Sequence, residues 1–182
     1  MDDEVLHPGH HSIRFPGYDY SSEGLYFITI CTHEKRCILG RIVNARVELS
    51  CIGCAVRESW VSIPLHFTWT RLHGFVIMPN HLHGIVEICA KLGRSGAAPL
   101  RGGPVAKVRA GSIGAIVRSF KSAVARQAHE TLKRHGPVWQ RNYFERVLRD
   151  GQEFSDATRY IAENPLNWEF DHENPRARPQ SC

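Results

Sequence analysis

Stretches of alternating and continuous apolar residues divide the chain into predicted strands. The run GLYFITICT (24–32) is rich in β-branched and aromatic residues and predicts a strand. FTWTRLHGFVIM (67–78) and HLHGIVEIC (81–89) predict two more strands, joined through a Pro-Asn turn pair. RIVNARVELS (41–50) predicts a hairpin or one irregular strand, and VWQRNYFERVLR (138–149) predicts a further strand.

Helical spacing of apolar residues marks three other segments. CIGCAVRESWVSIP predicts a helix that ends at Pro64. Ser112 is a predicted N-cap for a helix that runs to about His135, with its apolar residues on one side. QEFSDATRYIAEN (152–164) predicts a short helix that stops before Pro165.

Helices packed on a mostly antiparallel sheet define an α+β fold, which the order of these elements predicts. With 182 residues and 42% apolar content, the chain has material for one core, so we expect a single domain over residues 1–182. Its predicted irregular parts are an N-terminal arm (1–22), a flexible basic loop rich in Gly, Ala and Pro (90–111) and a C-terminal tail (166–182).

Positive charge is concentrated in one part of the chain. The net charge is +5, yet residues 101–149 hold eleven Lys and Arg against two acids, so the remainder is acidic. This asymmetry favours a polyanionic partner such as nucleic acid, although a solvated basic face without a partner has the same signature. The candidate DNA-binding residues are Arg118, Lys121 and Arg126, opposite the apolar side of the helix after Ser112, together with Arg141 and Arg146.

Neither the cysteines nor the apolar runs indicate secretion or membrane insertion. No apolar run reaches the length of a membrane span, and the polar, acidic start is unlike a signal peptide, so we expect a cytoplasmic protein. The six cysteines are spaced unlike a secreted disulfide framework and are interpreted as reduced thiols. Cys51 and Cys54 resemble half of a zinc site, but no second cysteine or histidine pair completes it.

Two histidines stand one residue apart within the predicted strand 81–89. Side chains at i and i+2 of a strand share a face, so His81 and His83 point together while Leu82 and Val86 point into the core. Two neutral imidazoles so placed suit one divalent metal ion. The other interpretation is a pair of structural histidines. The zinc-protease motif HExxH is absent.

The last predicted helix offers partners for such a site. Tyr160 and Asn164 are four residues apart and therefore lie on one helix face, where the amide oxygen could bind a metal near the hydroxyl. A tyrosine beside a buried stripe is also a common packing residue, and the spacing alone does not decide between the two.

Four motifs and the N-terminal part of the chain resemble one known family. MPNHLHG (78–84), SFKSAV (119–124), VWQRNYFERVLRD (138–150) and RYIAENPLNW (159–168) occur in the order and spacing of the REP-associated tyrosine transposases. These belong to the HUH superfamily of single-tyrosine, single-strand transposases. The resemblance extends to HSIRFPGYDYSSEGLYFITICT near the start and so covers nearly the whole chain. The long loop 90–111 and the weakly acidic segment before the histidine strand depart from the family pattern.

The resemblance implies a ferredoxin-like sandwich with helices packed on one face of a mostly antiparallel sheet. It implies that His81, His83 and Asn164 hold Mg²⁺ or Mn²⁺ and that Tyr160 is the nucleophile of a DNA transposase. It implies a 5′-phosphotyrosine intermediate, no organic cofactor, and a single-stranded or hairpin DNA partner of the REP type, with which the protein would associate in the nucleoid. The oligomeric state, monomer or homodimer, remains open.

Two other functions remain open at this point. One is a DNA-binding descendant of such an enzyme that no longer cleaves. The other is a metal-dependent phosphohydrolase that uses water as its nucleophile, with Tyr160 in a packing role. A covalent protein–DNA adduct distinguishes the transposase from both.

Overall fold

The structure is a computed structural model that describes residues 19–90 and 111–177. Most of the predicted N-terminal arm and nearly all of the predicted basic loop lie outside these residues. The strands are β1 (Gly24–Cys31), β2 (Gly40–Val43), β3 (Arg46–Leu49), β4 (Thr70–Ile77), β5 (His81–Ile88) and β6 (Phe144–Leu148). The helices are α1 (Cys51–Val61), α2 (Ile63–His66), α3 (Ile113–Glu130) and α4 (Gly151–Glu163), with 3₁₀ turns at His33–Lys35 and Trp168–Phe170.

Four strands form an antiparallel sheet in the order β4-β5-β1-β6. Without the separate β2–β3 hairpin, the chain runs β1-α1-β4-β5-α3-β6, which is the ferredoxin-like arrangement. The predicted α+β class is confirmed. Strands β1 and β5 form the centre of the sheet, so every side chain in their middle is covered on both faces.

The sheet has a buried layer on each face. Even-numbered residues of β1 and β5, such as Ile28 and Leu82, pack against α1 and α3. Odd-numbered residues, such as Phe27 and Ile85, pack against the buried stripe of α4. The expectation that helices pack on one face is therefore correct for α1 and α3 and wrong for α4. The two-residue period of the strands gives each face its own apolar set.

Polar residues fix where the helices begin. The side chains of Ser50, Ser112 and Asp150 accept hydrogen bonds from the backbone N–H groups of Gly53, Ala115 and Glu153, respectively. Ser112 is the cap predicted from the sequence, but α3 ends at Glu130 rather than near His135.

Pro64 lies in the first turn of α2 instead of ending α1. A proline is tolerated there because the first N–H groups of a helix have no intrahelical acceptor. The hairpin prediction is confirmed, with Asn44 and Ala45 at φ of 49° and 58° in the turn between β2 and β3.

A close contact joins β5 to α1. A Cβ atom added at Gly84 would lie 2.3 Å from Cζ2 of Trp60, whose indole is buried and also packs edge-on against Phe120 of α3. The absence of a side chain at residue 84 therefore makes room for the indole of Trp60 in the layer beneath α1 and α3.

Other sequence-based predictions concern cysteines and membranes. Cys51 and Cys54 are free thiols on α1, and among the described residues the one clustered group of metal-ligating type contains neither. Within residues 19–90 and 111–177, no helix has the length and apolarity needed to cross a bilayer.

Candidate metal and nucleophile site

Strand β5 carries His81 and His83 to the face of the sheet that α4 covers. His81 pairs with Cys31 of β1 and His83 pairs with Thr29, so both imidazoles project from the centre of the sheet. Their shared face follows the prediction. Both side chains are 0% exposed, because α4 and the segment after it cover them.

One nitrogen of each ring is held by a neighbouring side chain. Nδ1 of His81 lies 2.8 Å from Oδ1 of Asn80, and Nδ1 of His83 lies 2.8 Å from the hydroxyl of Thr29. The ring centroids are 4.4 Å apart. Both Nε2 atoms therefore remain available, and histidine ligands of metals usually have their second nitrogen fixed in this way.

Burial keeps both imidazoles neutral. It lowers the pKa of His81 to about 3, against a smaller opposing effect of the Asn164 side chain. Burial, followed by the proximity of His81, also lowers the pKa of His83 well below its ordinary value. Neutral rings offer the lone pairs that a cation requires, without a proton having to be displaced near neutral pH.

Helix α4 places Tyr160 over the histidines. Ala157 and Ile161 fix the helix on the sheet, because both are buried against Phe27 and Ile85. The hydroxyl oxygen of Tyr160 then lies 3.4 Å from Nε2 of His83. The two rings meet edge-on, with centroids 5.1 Å apart.

The surroundings of Tyr160 oppose its ionisation. Burial raises the pKa of the hydroxyl above its ordinary value, and the carboxylates of Asp171 and Glu173 act in the same direction. The hydroxyl is positioned near the histidines but is not activated by the protein alone. A positive charge in this pocket would be needed to lower the pKa again.

Asp171 is a site residue that the sequence did not reveal. Its Oδ2 accepts a hydrogen bond of 2.8 Å from Nδ2 of Asn164, the C-cap of α4, and lies 3.9 Å from Nε2 of His81. One ligand atom each from His81, His83 and Asp171 lies within 4.8 Å of the others. Asp171 follows a 3₁₀ turn in the predicted C-terminal tail. Glu169 and Glu173 are acidic residues two positions before and after it, so no sequence pattern distinguishes Asp171 from them.

The donor atoms around this pocket fit a divalent cation. Nε2 of His81 and Oδ1 of Asn164 are buried and have no hydrogen-bond partner within the described part of the chain. Buried polar atoms are normally paired, so two unpaired polar atoms, one of them 3.9 Å from the carboxylate of Asp171, indicate a ligand. Imidazole nitrogens with amide and carboxylate oxygens suit Mn²⁺ and Mg²⁺, with imidazole favouring Mn²⁺ somewhat.

The other described tyrosines lie away from this pocket. Tyr143, the main rival as a nucleophile, donates a hydrogen bond of 2.8 Å to Glu145, and its ring packs with the core beneath α1 and α3. Tyr26 is buried in that same core and donates to the carbonyl oxygen of Ser22. Tyr20 packs against Tyr26.

Comparison with known proteins identifies a relative and a fold. An uncharacterized protein of Haemophilus influenzae (strain KW20 / Rd) is 42% identical over 167 residues, which cover 89% of this chain and 92% of the relative. The two chains belong to one family. No family model matches the sequence.

A solved structure of a REP-associated tyrosine transposase bound to a REP hairpin aligns with 80% of this chain and 68% of its own, at a TM-score of 0.54 and 14% identity. This chain has the fold of the REP-associated tyrosine transposases. A solved protein of Deinococcus radiodurans R1 aligns with 82% of this chain and 95% of its own, at 15% identity and a TM-score of 0.47.

On this transposase fold, the predicted DNA-binding residues are not gathered at the histidines. Arg118 and Arg126 are exposed on α3, which lies on the opposite face of the sheet. Arg141 is exposed in the segment before β6. Arg146 projects on the α4 face, where it forms a 3.0 Å ion pair with Glu153.

Lys121, a predicted phosphate contact, binds backbone carbonyl oxygens in the structure. Its ammonium donates hydrogen bonds of 2.8 Å to the carbonyl oxygens of Gln140 and Asn142, and a longer one to Arg141. Burial lowers its pKa to about 8, so it remains charged at neutral pH. Lys121 therefore fixes the segment before β6, a contact that helical periodicity cannot indicate because its partners lie about twenty residues away.

Proposed function

We propose that this protein is a metal-dependent DNA transposase that cleaves and rejoins single-stranded DNA through Tyr160. The observation that carries the proposal is the Tyr160 hydroxyl, 3.4 Å from Nε2 of His83, in a buried pocket where two polar atoms have no partner among the described residues. The transposase fold supports it, as does the placement of Tyr143 on the other face of the sheet.

The residues that would hold the cation are His81, His83, Asn164 and Asp171. A divalent cation bound there would lower the pKa of the tyrosine, orient the scissile phosphate and stabilise the charge that builds in the transition state. Mn²⁺ and Mg²⁺ both fit these ligands. Imidazole favours Mn²⁺, and the greater cellular abundance of Mg²⁺ favours Mg²⁺.

Tyr160 supplies the nucleophile of the proposed step. Its oxygen forms a bond to phosphorus while the bond from phosphorus to the 3′ oxygen breaks, which leaves a 5′-phosphotyrosine and a free 3′-OH. The new bond retains the phosphodiester energy, so a second 3′-OH can attack it and release Tyr160 without ATP. Helix α4 holds the ring in place during both steps.

The proposed partner is single-stranded or hairpin DNA. The solved transposase of the same fold was bound to a REP hairpin. The charge of +5 and the exposed arginines on α3 favour a polyanion. We place this activity in the cytoplasm, at the nucleoid.

A covalent adduct provides the decisive test. The protein is incubated with Mn²⁺ and end-labelled single-stranded DNA pools that include hairpins, then denatured, digested and mapped by mass spectrometry. We expect the DNA on the peptide that contains Tyr160, and no adduct in EDTA. Tyr160→Phe should bind DNA but form no adduct, since it removes one oxygen and retains the ring.

Tyr143→Phe is the matched control, because it makes the same change on the opposite face of the sheet and should form the adduct normally. Cleavage by Tyr160→Phe with normal metal dependence would favour a phosphohydrolase that uses water. Tight binding by the wild type without cleavage in any metal would favour a DNA-binding descendant. An adduct on Tyr143 would exclude the proposed nucleophile.

A further inference from the structure

Asn80, the residue before β5, connects three parts of the molecule. It is 0% exposed, and its backbone carbonyl oxygen accepts hydrogen bonds from the N–H and the hydroxyl of Thr32. The turn between β4 and β5 is thereby tied to the end of β1. The backbone of Asn80 cannot shift without disturbing the central strands.

The side chain of Asn80 has one orientation that satisfies its neighbours. Its Nδ2 donates to the carbonyl oxygens of Lys35, at 3.1 Å, and Glu173, at 2.6 Å. Its Oδ1 faces Nδ1 of His81 at 2.8 Å. Turning the amide over would bring its oxygen against two carbonyl oxygens, which have no proton to donate.

This orientation determines where the proton of His81 resides. Because Oδ1 can only accept, Nδ1 of the neutral ring must carry the hydrogen. Nε2 then has a lone pair directed into the pocket, where it is buried, unpaired within the described residues, and 3.9 Å from Oδ2 of Asp171. The opposite tautomer would leave two acceptors, Nδ1 of His81 and Oδ1 of Asn80, facing each other at 2.8 Å.

The same amide also restrains Asp171. Its Nδ2 binds the carbonyl oxygen of Glu173, and the backbone N–H of Glu173 donates to Oδ1 of Asp171 at 2.7 Å. The side chain of Glu173 is anchored separately by a 3.1 Å ion pair with Lys35. One side chain therefore links a histidine of β5 to a carboxylate that arrives from the far end of the chain.

We infer that Asn80 is a positioning residue that holds His81 in the Nδ1–H tautomer and sets its distance from Asp171, so that both present their lone pairs to one cation. This inference rests on the proposed metal site and adds the residue that organises it. His83 has no equivalent restraint, because the Thr29 hydroxyl can either donate or accept.

Nitrogen NMR of the metal-free protein tests the tautomer directly. In ¹⁵N-histidine-labelled wild type at neutral pH, His81 should show a protonated Nδ1 and an unprotonated Nε2, assigned by comparison with His81→Asn. In Asn80→Ala the two tautomers should become mixed. Mn²⁺ affinity, measured by the EPR signal of the free ion, should fall roughly 10- to 100-fold, as is typical when a residue supporting a metal ligand is removed.

Two further variants separate positioning from general loosening. Thr32→Val removes the hydroxyl hydrogen bond to the Asn80 carbonyl oxygen but does not touch His81, so it should lower the melting temperature and leave the His81 tautomer unchanged. Asn80→Asp retains an oxygen acceptor for Nδ1–H and should restore the tautomer. Its second oxygen faces the Lys35 and Glu173 carbonyls, so its Mn²⁺ affinity should recover only in part.

The result that overturns the inference is a protonated Nε2 on His81 in the wild type, a measurement that does not depend on whether any variant folds. Unchanged tautomer and affinity in a folded Asn80→Ala would overturn it as well. A wild type that binds no Mn²⁺ and cleaves no DNA would refute the proposed function, and the tautomer measurement would still show whether Asn80 sets the ring.

Discussion

Asp171 illustrates how one residue completes a site that the strand and helix leave open. The two histidines and Asn164 supply neutral donors, and Asp171 adds the negative charge that offsets the charge of a bound cation. It lies at 7% exposure, held by Asn164 and by the backbone of Glu173. A buried carboxylate without a cation nearby carries a desolvation penalty, which metal binding would relieve.

Asp171→Asn should therefore weaken Mn²⁺ binding by about 10-fold or more, because it removes the charge and preserves the shape. Titration with Mn²⁺ monitored by EPR measures the change. Glu169→Gln is the control, since it removes an exposed carboxylate two residues earlier and should leave the affinity unchanged. Equal affinities for the two variants would remove Asp171 from the ligand set.

The depressed pKa values of the histidines predict a pH-dependent stability in metal-free protein. His81 titrates near 6.5 when unfolded and at about 3 when folded. Between these values the unfolded state binds the proton and the folded state does not, so stability falls as the pH decreases below 6.5. Each buried histidine should add up to about 1.4 kcal/mol per pH unit to the slope of the free energy of unfolding against pH.

Urea unfolding in EDTA between pH 7 and pH 5.5 measures this slope, above the range in which carboxylates titrate. His81→Asn should reduce the slope. His66→Asn, which changes an exposed histidine on α2, should not. A free energy of unfolding that is constant across this range would contradict the burial of neutral imidazoles.

At the level of elements, strand β5 depends on the contact between Gly84 and Trp60. Gly84→Ala would place a methyl group 2.3 Å from the buried indole of Trp60, so the indole or the strand would have to shift. We expect a loss of about 1–3 kcal/mol in the free energy of unfolding, as is typical of an overpacked core. DNA cleavage by the remaining folded protein should persist, because the added methyl group points away from His83.

Gly151→Ala is the matched control for this prediction. Gly151 is the first residue of α4, and nothing lies within 4 Å of a Cβ atom added there. The substitution should leave stability unchanged or raise it by about 0.4–1 kcal/mol, through reduced freedom of the unfolded chain. Chemical denaturation of both variants distinguishes the two outcomes.

The sequence predicts elements better than it predicts how distant elements meet. Strand alternation is local, so the shared face of His81 and His83 could be derived from the two-residue period. The burial of that face could not, since it depends on α4 docking from about seventy residues away. The approach of Asp171 to His81 and the contacts of Lys121 were missed for the same reason, because contacts between distant parts of the chain leave no periodic trace.

On the scale of the whole molecule, the sheet separates two kinds of surface. The candidate site lies under α4 on one face, and the exposed Arg118 and Arg126 of α3 lie on the other. Within the described residues, no hydrogen bond or ion pair engages either arginine, whereas Lys121 is bound to carbonyl oxygens. If α3 contacts DNA, the two arginines are therefore the groups available for phosphates.

The salt dependence of DNA affinity tests this arrangement. In a plot of the logarithm of the binding constant against the logarithm of the salt concentration, each phosphate contact on a single strand contributes roughly −0.7 to the slope. Replacing Arg118 and Arg126 with Ala should therefore make the slope shallower by about 1.4. Lys121→Met should leave the slope unchanged and lower the melting temperature, because its ammonium supports the segment before β6. An unchanged slope in the double variant would indicate that Arg141 and the predicted basic loop, rather than α3, contact the DNA phosphates.

Strand β5 has a further consequence for how this chain can change in length. An insertion or deletion that slipped the whole of β5 by one residue against β1 would turn Leu82 and Val86 toward Tyr160 and bury the imidazoles in the apolar layer beneath α3. An insertion of two residues would preserve the faces but move the ligands about 7 Å along the sheet. The spacing within β5 is therefore under the same constraint as the histidines themselves, whereas the turn at Asn44 and Ala45 lies in a separate hairpin and can vary in length without changing the position of any ligand.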